Sequence, residues 1–117
     1  MKFEGNIALV VGSATGMGRA TVIKLVKEGA HVIAFDLLGD TLAELKEELK
    51  DEAGSFEPFV GDVNEAEKRH GVIAFIQEKY GRFSYKFERN IEALALSSAY
   101  LFVKRRSDFH VPDLVKT

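Results

Sequence analysis

Three glycines within a seven-residue segment are spaced as in loops that bind phosphate groups. Residues 12–18 read G-S-A-T-G-M-G, which gives Gly12, Gly16 and Gly18 the spacing G-x-x-x-G-x-G. Glycine allows positive φ angles, and it lets backbone N–H groups approach a pyrophosphate that a side chain would block. The spacing is a variant of the dinucleotide fingerprint G-x-G-x-x-G. The alternative is a glycine-rich turn that binds no ligand.

A carboxylate follows this loop at the distance that dinucleotide binding requires. Asp36 ends an apolar segment about 20 residues after the loop, where an acidic side chain accepts hydrogen bonds from the ribose hydroxyls of NAD. The same negative charge repels the additional phosphate of NADP. The alternative is a solvated carboxylate at a strand end. The loop and Asp36 together predict NAD as the cofactor.

Apolar runs and glycine stops indicate which elements position these residues. Continuous apolar segments of β-favouring type predict strands buried on both faces, and apolar residues at helical spacing predict the helices between them. The order βαβαβα predicts an α/β fold, a Rossmann-like three-layer sandwich with a short parallel sheet. The predicted strands are residues 7–11, 31–36 and 56–60, and the predicted helices are residues 19–28, 42–53 and 64–80.

Polar residues and one proline refine these boundaries. Asp40 or Thr41 is the predicted cap of the second helix, and the pair Asn64 and Glu67 resembles a capping box for the third. Pro58 cannot donate a ladder hydrogen bond, so the third strand is expected at a sheet edge or a bulge.

The remainder of the chain, residues 84–117, gives a weaker pattern. Residues 83–87 alternate as in a short half-exposed strand, a final helix is predicted over about 88–106, and the tail over 107–117 is expected to be irregular. The predicted helix is apolar nearly all round, so this chain or a second copy must cover it, which makes a homo-oligomer a candidate assembly. The length of 117 residues allows one domain, residues 1–117.

Four segments resemble the short-chain dehydrogenase/reductase family. Residues 8–20, ALVVGSATGMGRA, resemble its cofactor loop, and residues 28–36, EGAHVIAFD, resemble its second strand. Residues 61–63, GDV, resemble its adenine-contacting segment, and residues 78–83, EKYGRF, resemble the close of its fourth helix. The resemblance covers residues 1–83. It implies a Rossmann-like fold and NAD-dependent oxidoreduction of an alcohol or carbonyl substrate, which stays unidentified.

At the phosphate end of the cofactor, the resemblance implies five cofactor-binding residues within the glycine loop. Gly12, Gly16 and Gly18 would border the pyrophosphate, and Ser13 and Thr15 belong to the same cofactor-binding loop.

The resemblance also implies contacts with the sugars and the base. Met17 would pack near the nicotinamide ribose, and Asp36 would bind the adenosine ribose with Leu37 beside it. Asp62 and Val63 would frame the adenine. For Asp62, a cap of the following helix is an equal alternative.

The resemblance does not extend to a catalytic residue. Tyr100 and Lys104 spell Y-x-x-x-K, the family's catalytic pair, but residues 94–102 resemble the family's fifth helix, in which this tyrosine packs rather than reacts. The family's Asn-Asn-Ala-Gly segment is missing from residues 83–90, and its catalytic serine has no counterpart here. The chain therefore resembles a truncated first half of the family, with no catalytic residue assigned.

Composition excludes several other classes of function. A formal net charge of -2 argues against nucleic acid as a partner, and the absence of cysteine removes thiolate metal sites and disulfides. The three histidines, at positions 31, 70 and 110, lack metal-ligand spacing, so no metal is expected. No apolar run reaches membrane-spanning length and the N-terminus lacks the pattern of a signal peptide, so the expected location is the cytoplasm.

Two hypotheses of function follow from these observations. The first is an NAD(H)-binding domain of short-chain dehydrogenase/reductase type, with a small-molecule substrate that the sequence does not identify. The alternative is a non-catalytic Rossmann-like binding or dimerisation module that lacks the catalytic Ser-Tyr-Lys half.

Overall fold

The protein is described by a computed structural model for residues 3–80 and for the backbone of residues 100–105 and 113–116. Its elements are β1 (Asn6–Val11), α1 (Gly16–Lys27), β2 (His31–Asp36), α2 (Gly39–Glu48), β3 (Ser55–Val60), α3 (Ala66–Tyr80), β4 (Tyr100–Arg105) and β5 (Asp113–Lys116). The strands form one sheet in the order β3-β2-β1-β4-β5.

The first three strands form the predicted parallel sheet. Strand β1 pairs with β2 from Ile7 opposite His31, and β2 pairs with β3 from His31 opposite Ser55. Helices cross over between these strands, as parallel pairing requires. The Rossmann-like α/β fold is therefore confirmed.

Two hydrophobic clusters on opposite faces of the sheet give the three layers. Alternate residues of β1 and β2 point to alternate faces, so each central strand contributes to both clusters. Helices α1 and α2 cover one face, where Leu42 and Leu45 of α2 pack with the strand residues Ala8, Val10, Val32 and Ala34. Helix α3 covers the other face, where its Val72, Ile73 and Ile76 pack with the strand residues Ile7, Leu9, Val11, Ile33 and Phe35.

The prediction of a final helix over 88–106 was wrong at its C-terminal end. Residues 100–105 form β4, which pairs antiparallel with β1 from Asn6 opposite Arg105 to Val10 opposite Leu101. Aromatic and branched residues at 100–103 favour a strand, and pairing satisfies the N–H and C=O groups along the second edge of β1. Residues 88–99 lie outside the described residues, as does the predicted strand over 83–87. A homo-oligomer through the predicted helix stays a prediction.

The tail was also predicted incorrectly at residues 113–116. These residues form β5, which pairs antiparallel with β4 from Val103 opposite Asp113 to Tyr100 opposite Lys116. The outer edge of β4 offers unpaired backbone groups, so an extended segment that reaches it gains ladder hydrogen bonds.

The structure corrects the predicted helix starts and explains the proline. Helix α2 begins at Gly39, with Leu38 at the cap position and no capping side chain, so neither Asp40 nor Thr41 caps it. Helix α3 begins at Ala66, after the proposed Asn64 cap. Pro58 lies in β3, and β3 is an edge strand of the described sheet, as predicted.

Candidate dinucleotide-binding site

The glycine loop connects β1 to α1 at the carboxyl end of the strand. Gly12 has φ +73° and Gly16 has φ +60°, both in the left-handed region that side chains disfavour. The Gly12 N–H donates to the Phe35 carbonyl at 3.0 Å, which holds the start of the loop against β2. The loop therefore turns sharply from the sheet into α1, which begins at Gly16, earlier than predicted.

Gly18 lies where the first turn of α1 contacts the loop backbone. A Cβ at this position would lie 1.9 Å from the Gly12 carbonyl oxygen and 2.8 Å from the Gly12 carbonyl carbon. Both atoms belong to the backbone, so neither can rotate away. The structure thus requires glycine here so that α1 can pack closely against the loop, which is the role of the third glycine in the dinucleotide fingerprint.

The amino end of α1 has the polarity that favours an anion. The first turn contains no acidic residue, so no carboxylate offsets the positive end of the helix dipole. Thr15 takes the cap position in an extended conformation without a capping hydrogen bond from its side chain. Arg19 pairs with Glu48 of α2 at 3.1 Å. The first N–H groups of the helix point toward the carboxyl edge of the sheet, where an anionic ligand would lie.

The side chains of the loop differ in exposure. Ser13 is fully buried, and its Oγ lies 3.5 Å from the Phe35 carbonyl, at the outer limit of a hydrogen bond. Its hydroxyl therefore faces the sheet, and its backbone is the part that borders the site. Thr15 is exposed, and the exposed fraction of Met17 is 69%.

Asp36 is the point where three loops are tied together. Its Oδ2 accepts the Ala14 N–H of the glycine loop at 3.0 Å, and its Oδ1 accepts the Leu38 N–H after β2 at 2.9 Å. Its backbone carbonyl accepts the Gly61 N–H after β3 at 3.0 Å. A carboxylate offers about four lone-pair positions, so the two side-chain hydrogen bonds leave acceptor capacity for ribose hydroxyls.

Asp62 and Val63 form the turn between β3 and α3. The Asp62 Oδ1 accepts the Asn64 N–H at 2.9 Å, and its carbonyl accepts the Glu65 N–H at 3.0 Å. This is an Asx turn, which closes the loop but does not cap α3 directly. Val63 is partly buried and packs against the cluster under α3. Leu37, by contrast, is 63% exposed beside Asp36.

Two contributors to the site were not predicted. The Ala14 N–H is a backbone donor, and a sequence gives no signal for it. Arg69 is buried on α3 and donates to the Val63 carbonyl at 2.7 Å. Its signal was present in the sequence, since Arg69 shares a helical stripe with Val72 and Ile76, so a charged residue stands on an apolar face.

The described residues form neither a metal site nor a membrane span. In that part of the chain, histidine and carboxylate side chains form no group of three that could hold a metal ion. No helix among residues 3–80 is long and apolar enough to cross a membrane.

A parallel α/β sheet with a glycine loop and an acidic residue at the ends of adjacent strands defines a dinucleotide-binding domain. A profile of the short chain dehydrogenase family matches residues 6–85. The chain belongs to this family, and its Rossmann cofactor-binding domain is that of a family of oxidoreductases.

One curated relative and two solved structures illustrate the similarity. The 3-oxoacyl-(acyl-carrier-protein) reductase FabG of Thermotoga maritima is 35% identical over 82 residues, which are 70% of this chain and 33% of that protein. The L-sorbose reductase of Gluconobacter frateurii, complexed with NADPH and L-sorbose, matches at TM-score 0.63 and 28% identity over 68% of this chain and 30% of that one.

A xylitol dehydrogenase bound to NAD+ matches at TM-score 0.64 and 24% identity, over 70% of this chain and 32% of that one, and shows the shared fold alone. The chain spans about a third of the length of the curated relatives it matches.

Proposed function

We propose that the chain binds NAD(H) at the carboxyl ends of β1, β2 and β3, as the cofactor half of an oxidoreductase for alcohols or carbonyls. The observation that carries the proposal is the 3.0 Å hydrogen bond from Ala14 N to Asp36 Oδ2. It brings the carboxylate that would accept hydrogen bonds from the ribose hydroxyls next to the loop that would bind the pyrophosphate. The absent side chain at Gly18 supports the same ligand, because a larger residue there would displace the loop.

The glycine loop supplies the proposed phosphate contacts. The pyrophosphate lies against the backbone of Gly12, Ser13 and Gly16, at the positive end of α1, with Thr15 and Gly18 bordering it. Backbone N–H groups are the donors, because the Ser13 side chain is buried in the direction of the sheet.

The remaining proposed contacts follow the cofactor outward from the loop. The exposed Met17 contacts the nicotinamide ribose, and Leu37 packs beside the adenosine ribose held by Asp36. Asp62 and Val63 border the adenine, and the Asx turn at Asp62 fixes their backbone for that contact.

The charge around Asp36 favours NAD over NADP. A 2′-phosphate needs a nearby cation, commonly an arginine. The residue after Asp36 is the uncharged Leu37, and Arg19 is already paired with Glu48. Similar proteins include complexes with NADPH and with NAD+, so the preference of this chain needs its own measurement.

The proposed oxidoreduction needs an acid or base in addition to the cofactor. When bound, the nicotinamide ring accepts or supplies the hydride. Tyr100 and Lys104 lie in β4, where residues four apart are separated by about 13 Å, compared with about 6 Å along a helix. This spacing supports the prediction that they are not a catalytic pair. No residue in the described part of the chain is assigned to proton transfer.

Calorimetric titration of the whole chain with NADH and NADPH tests the proposal. We expect saturable binding and at least a tenfold preference for NADH, equivalent to about 1.4 kcal/mol. The variant Asp36→Ser is expected to abolish this preference. The variant Asp40→Ser is the matched control, because it removes an exposed carboxylate at the start of α2 and should keep the preference.

The titrations test the binding site and the cofactor preference separately. No saturable binding of either cofactor would refute the site, whereas equal affinities would refute only the argument from Asp36. A dimerisation module without cofactor binding is the alternative, and the family match favours the cofactor-binding function over it.

A further inference from the structure

Arg69 is a buried charge on α3, beside the turn that contains Asp62 and Val63. Its exposed fraction is 7%, and it lies on the stripe of α3 that faces the sheet, together with Val72, Ile73 and Ile76. A charged side chain in such a position is costly unless its donors find acceptors. The distance from Arg69 Nη1 to the Val63 carbonyl oxygen is 2.7 Å, which is typical of a charge-assisted hydrogen bond.

The loop that Arg69 contacts is also held at its two ends. Its start is fixed by the Gly61 N–H, which donates to the Asp36 carbonyl at 3.0 Å. Its end is fixed by the Glu65 carbonyl, which accepts the N–H groups of Lys68 and Arg69 at 3.0 and 3.1 Å. Arg69 holds the middle of the loop, through its hydrogen bond to the Val63 carbonyl.

Val63 is consequently held from two directions. Its side chain packs against the cluster under α3, and its carbonyl accepts the guanidinium hydrogen bond. Loss of the donor would leave a partly buried carbonyl unsatisfied, and the peptide would gain by turning toward water. The same peptide carries the Asn64 N–H, which donates to the Asp62 Oδ1 at 2.9 Å, so the Asp62 carboxylate would move with it.

We propose that Arg69 is a positioning residue for the adenine end of the dinucleotide site. It acts through the Val63 carbonyl and keeps Asp62 and Val63 where they border the base. This inference rests on the proposed function. A held carboxylate at Asp62 can accept a hydrogen bond from the exocyclic amine of adenine, whereas hypoxanthine presents a carbonyl oxygen at that position and is disfavoured.

The test compares NADH with reduced nicotinamide hypoxanthine dinucleotide by calorimetry. The wild-type chain is expected to bind NADH about tenfold more tightly than the hypoxanthine analogue, a difference of about 1.4 kcal/mol. The variant Arg69→Met keeps an unbranched side chain but has no donor, and we expect this ratio to fall to about twofold or less. A merely structural role would lower both affinities by the same factor and leave the ratio unchanged.

A second variant and a control keep the result interpretable. Arg69→Gln keeps an N–H donor on a side chain that is too short to reach the Val63 carbonyl, so it should lower the affinity ratio in the same way. It serves as the test if Arg69→Met does not fold. Lys79→Met is the matched control, because it removes a basic side chain from the same helix. The partner of Lys79 is Glu57 within β3, and not the turn at Asp62 and Val63. This variant should keep the wild-type ratio.

The affinity ratios test the role of Arg69 separately from cofactor binding. A wild-type ratio in either folded Arg69 variant would overturn the positioning role while leaving the cofactor proposal intact. A wild-type chain that binds NADH without distinguishing the two bases would also overturn it. A wild-type chain that binds neither dinucleotide would instead overturn the proposed function.

Discussion

The substitution Gly18→Ala tests the packing on which the phosphate loop depends. The new Cβ would lie 1.9 Å from the Gly12 carbonyl oxygen and 3.1 Å from the Ser13 Cα. Carbon and oxygen atoms in close contact are normally about 3.3 Å apart, so the helix and the loop must separate by about 1.4 Å. Since the opposing atoms are backbone, no change of side-chain rotamer relieves the contact.

The expected cost follows from that displacement. Overpacking of a well-packed interior costs about 1–3 kcal/mol, and we expect the upper end here because the loop backbone must move. Urea denaturation followed by circular dichroism measures the loss of unfolding free energy. NADH affinity should fall about 100-fold, since a shift of about 1 Å misplaces the N–H donors.

Gly16→Ala is the matched control within the same loop. Gly16 has φ +60°, but nothing lies within 4 Å of its added Cβ, so the cost is backbone strain of about 1–2 kcal/mol without a steric clash. Gly16→Asn should cost less, because asparagine tolerates the left-handed region. A Gly18→Ala chain that loses no more unfolding free energy than the Gly16→Ala chain does would refute the reasoning from close packing.

Two further predictions concern side chains that connect elements. Asp36→Ala should lower the unfolding free energy by about 2 kcal/mol, because the Ala14 and Leu38 N–H groups lose a charged acceptor. An unchanged urea midpoint would contradict the stabilising role of these two side-chain hydrogen bonds. The hydrogen bond from Lys79 to Glu57 raises the pKa of Lys79 above 10.5, so its stabilisation is present below that pH and is lost as the pH rises through the raised pKa. Because both side chains are partly exposed, Lys79→Met should cost only about 0.5 kcal/mol near neutral pH, and its unfolding free energy should converge with that of the wild type in alkaline solution.

The parallel half of the fold could be predicted because its signals are local. Strands β1 and β2 are continuous apolar runs, and glycines mark where helices stop, so the position of Asp36 at a strand end followed directly. The location of β4 could not be obtained in this way. Residues 100–103 are all apolar or aromatic, a pattern that fits a buried helix and a buried strand equally. Pairing with β1, a contact distant in sequence, decides between them.

The sequence could propose the residues of the candidate site, but it could not give the contacts that these residues make. The glycine spacing and Asp36 came from sequence patterns, whereas the burial of the Ser13 hydroxyl depends on how the loop turns over β2. The Ala14 N–H donates from the backbone, which no residue type encodes. Arg69 was detectable as a charge on an apolar stripe, but its acceptor became evident only from the folded loop.

The tie at Asp36 restricts how this domain could change its cofactor preference during evolution. If Asp36 selects NAD as proposed, a mutation that removes the carboxylate would admit a 2′-phosphate and at the same moment release the backbone of Ala14 and Leu38. Most such mutants would lose stability before they gained a new ligand. The accessible path retains Asp36 and introduces a cation at the exposed neighbour Leu37, so selection can alter the preference without loosening the scaffold.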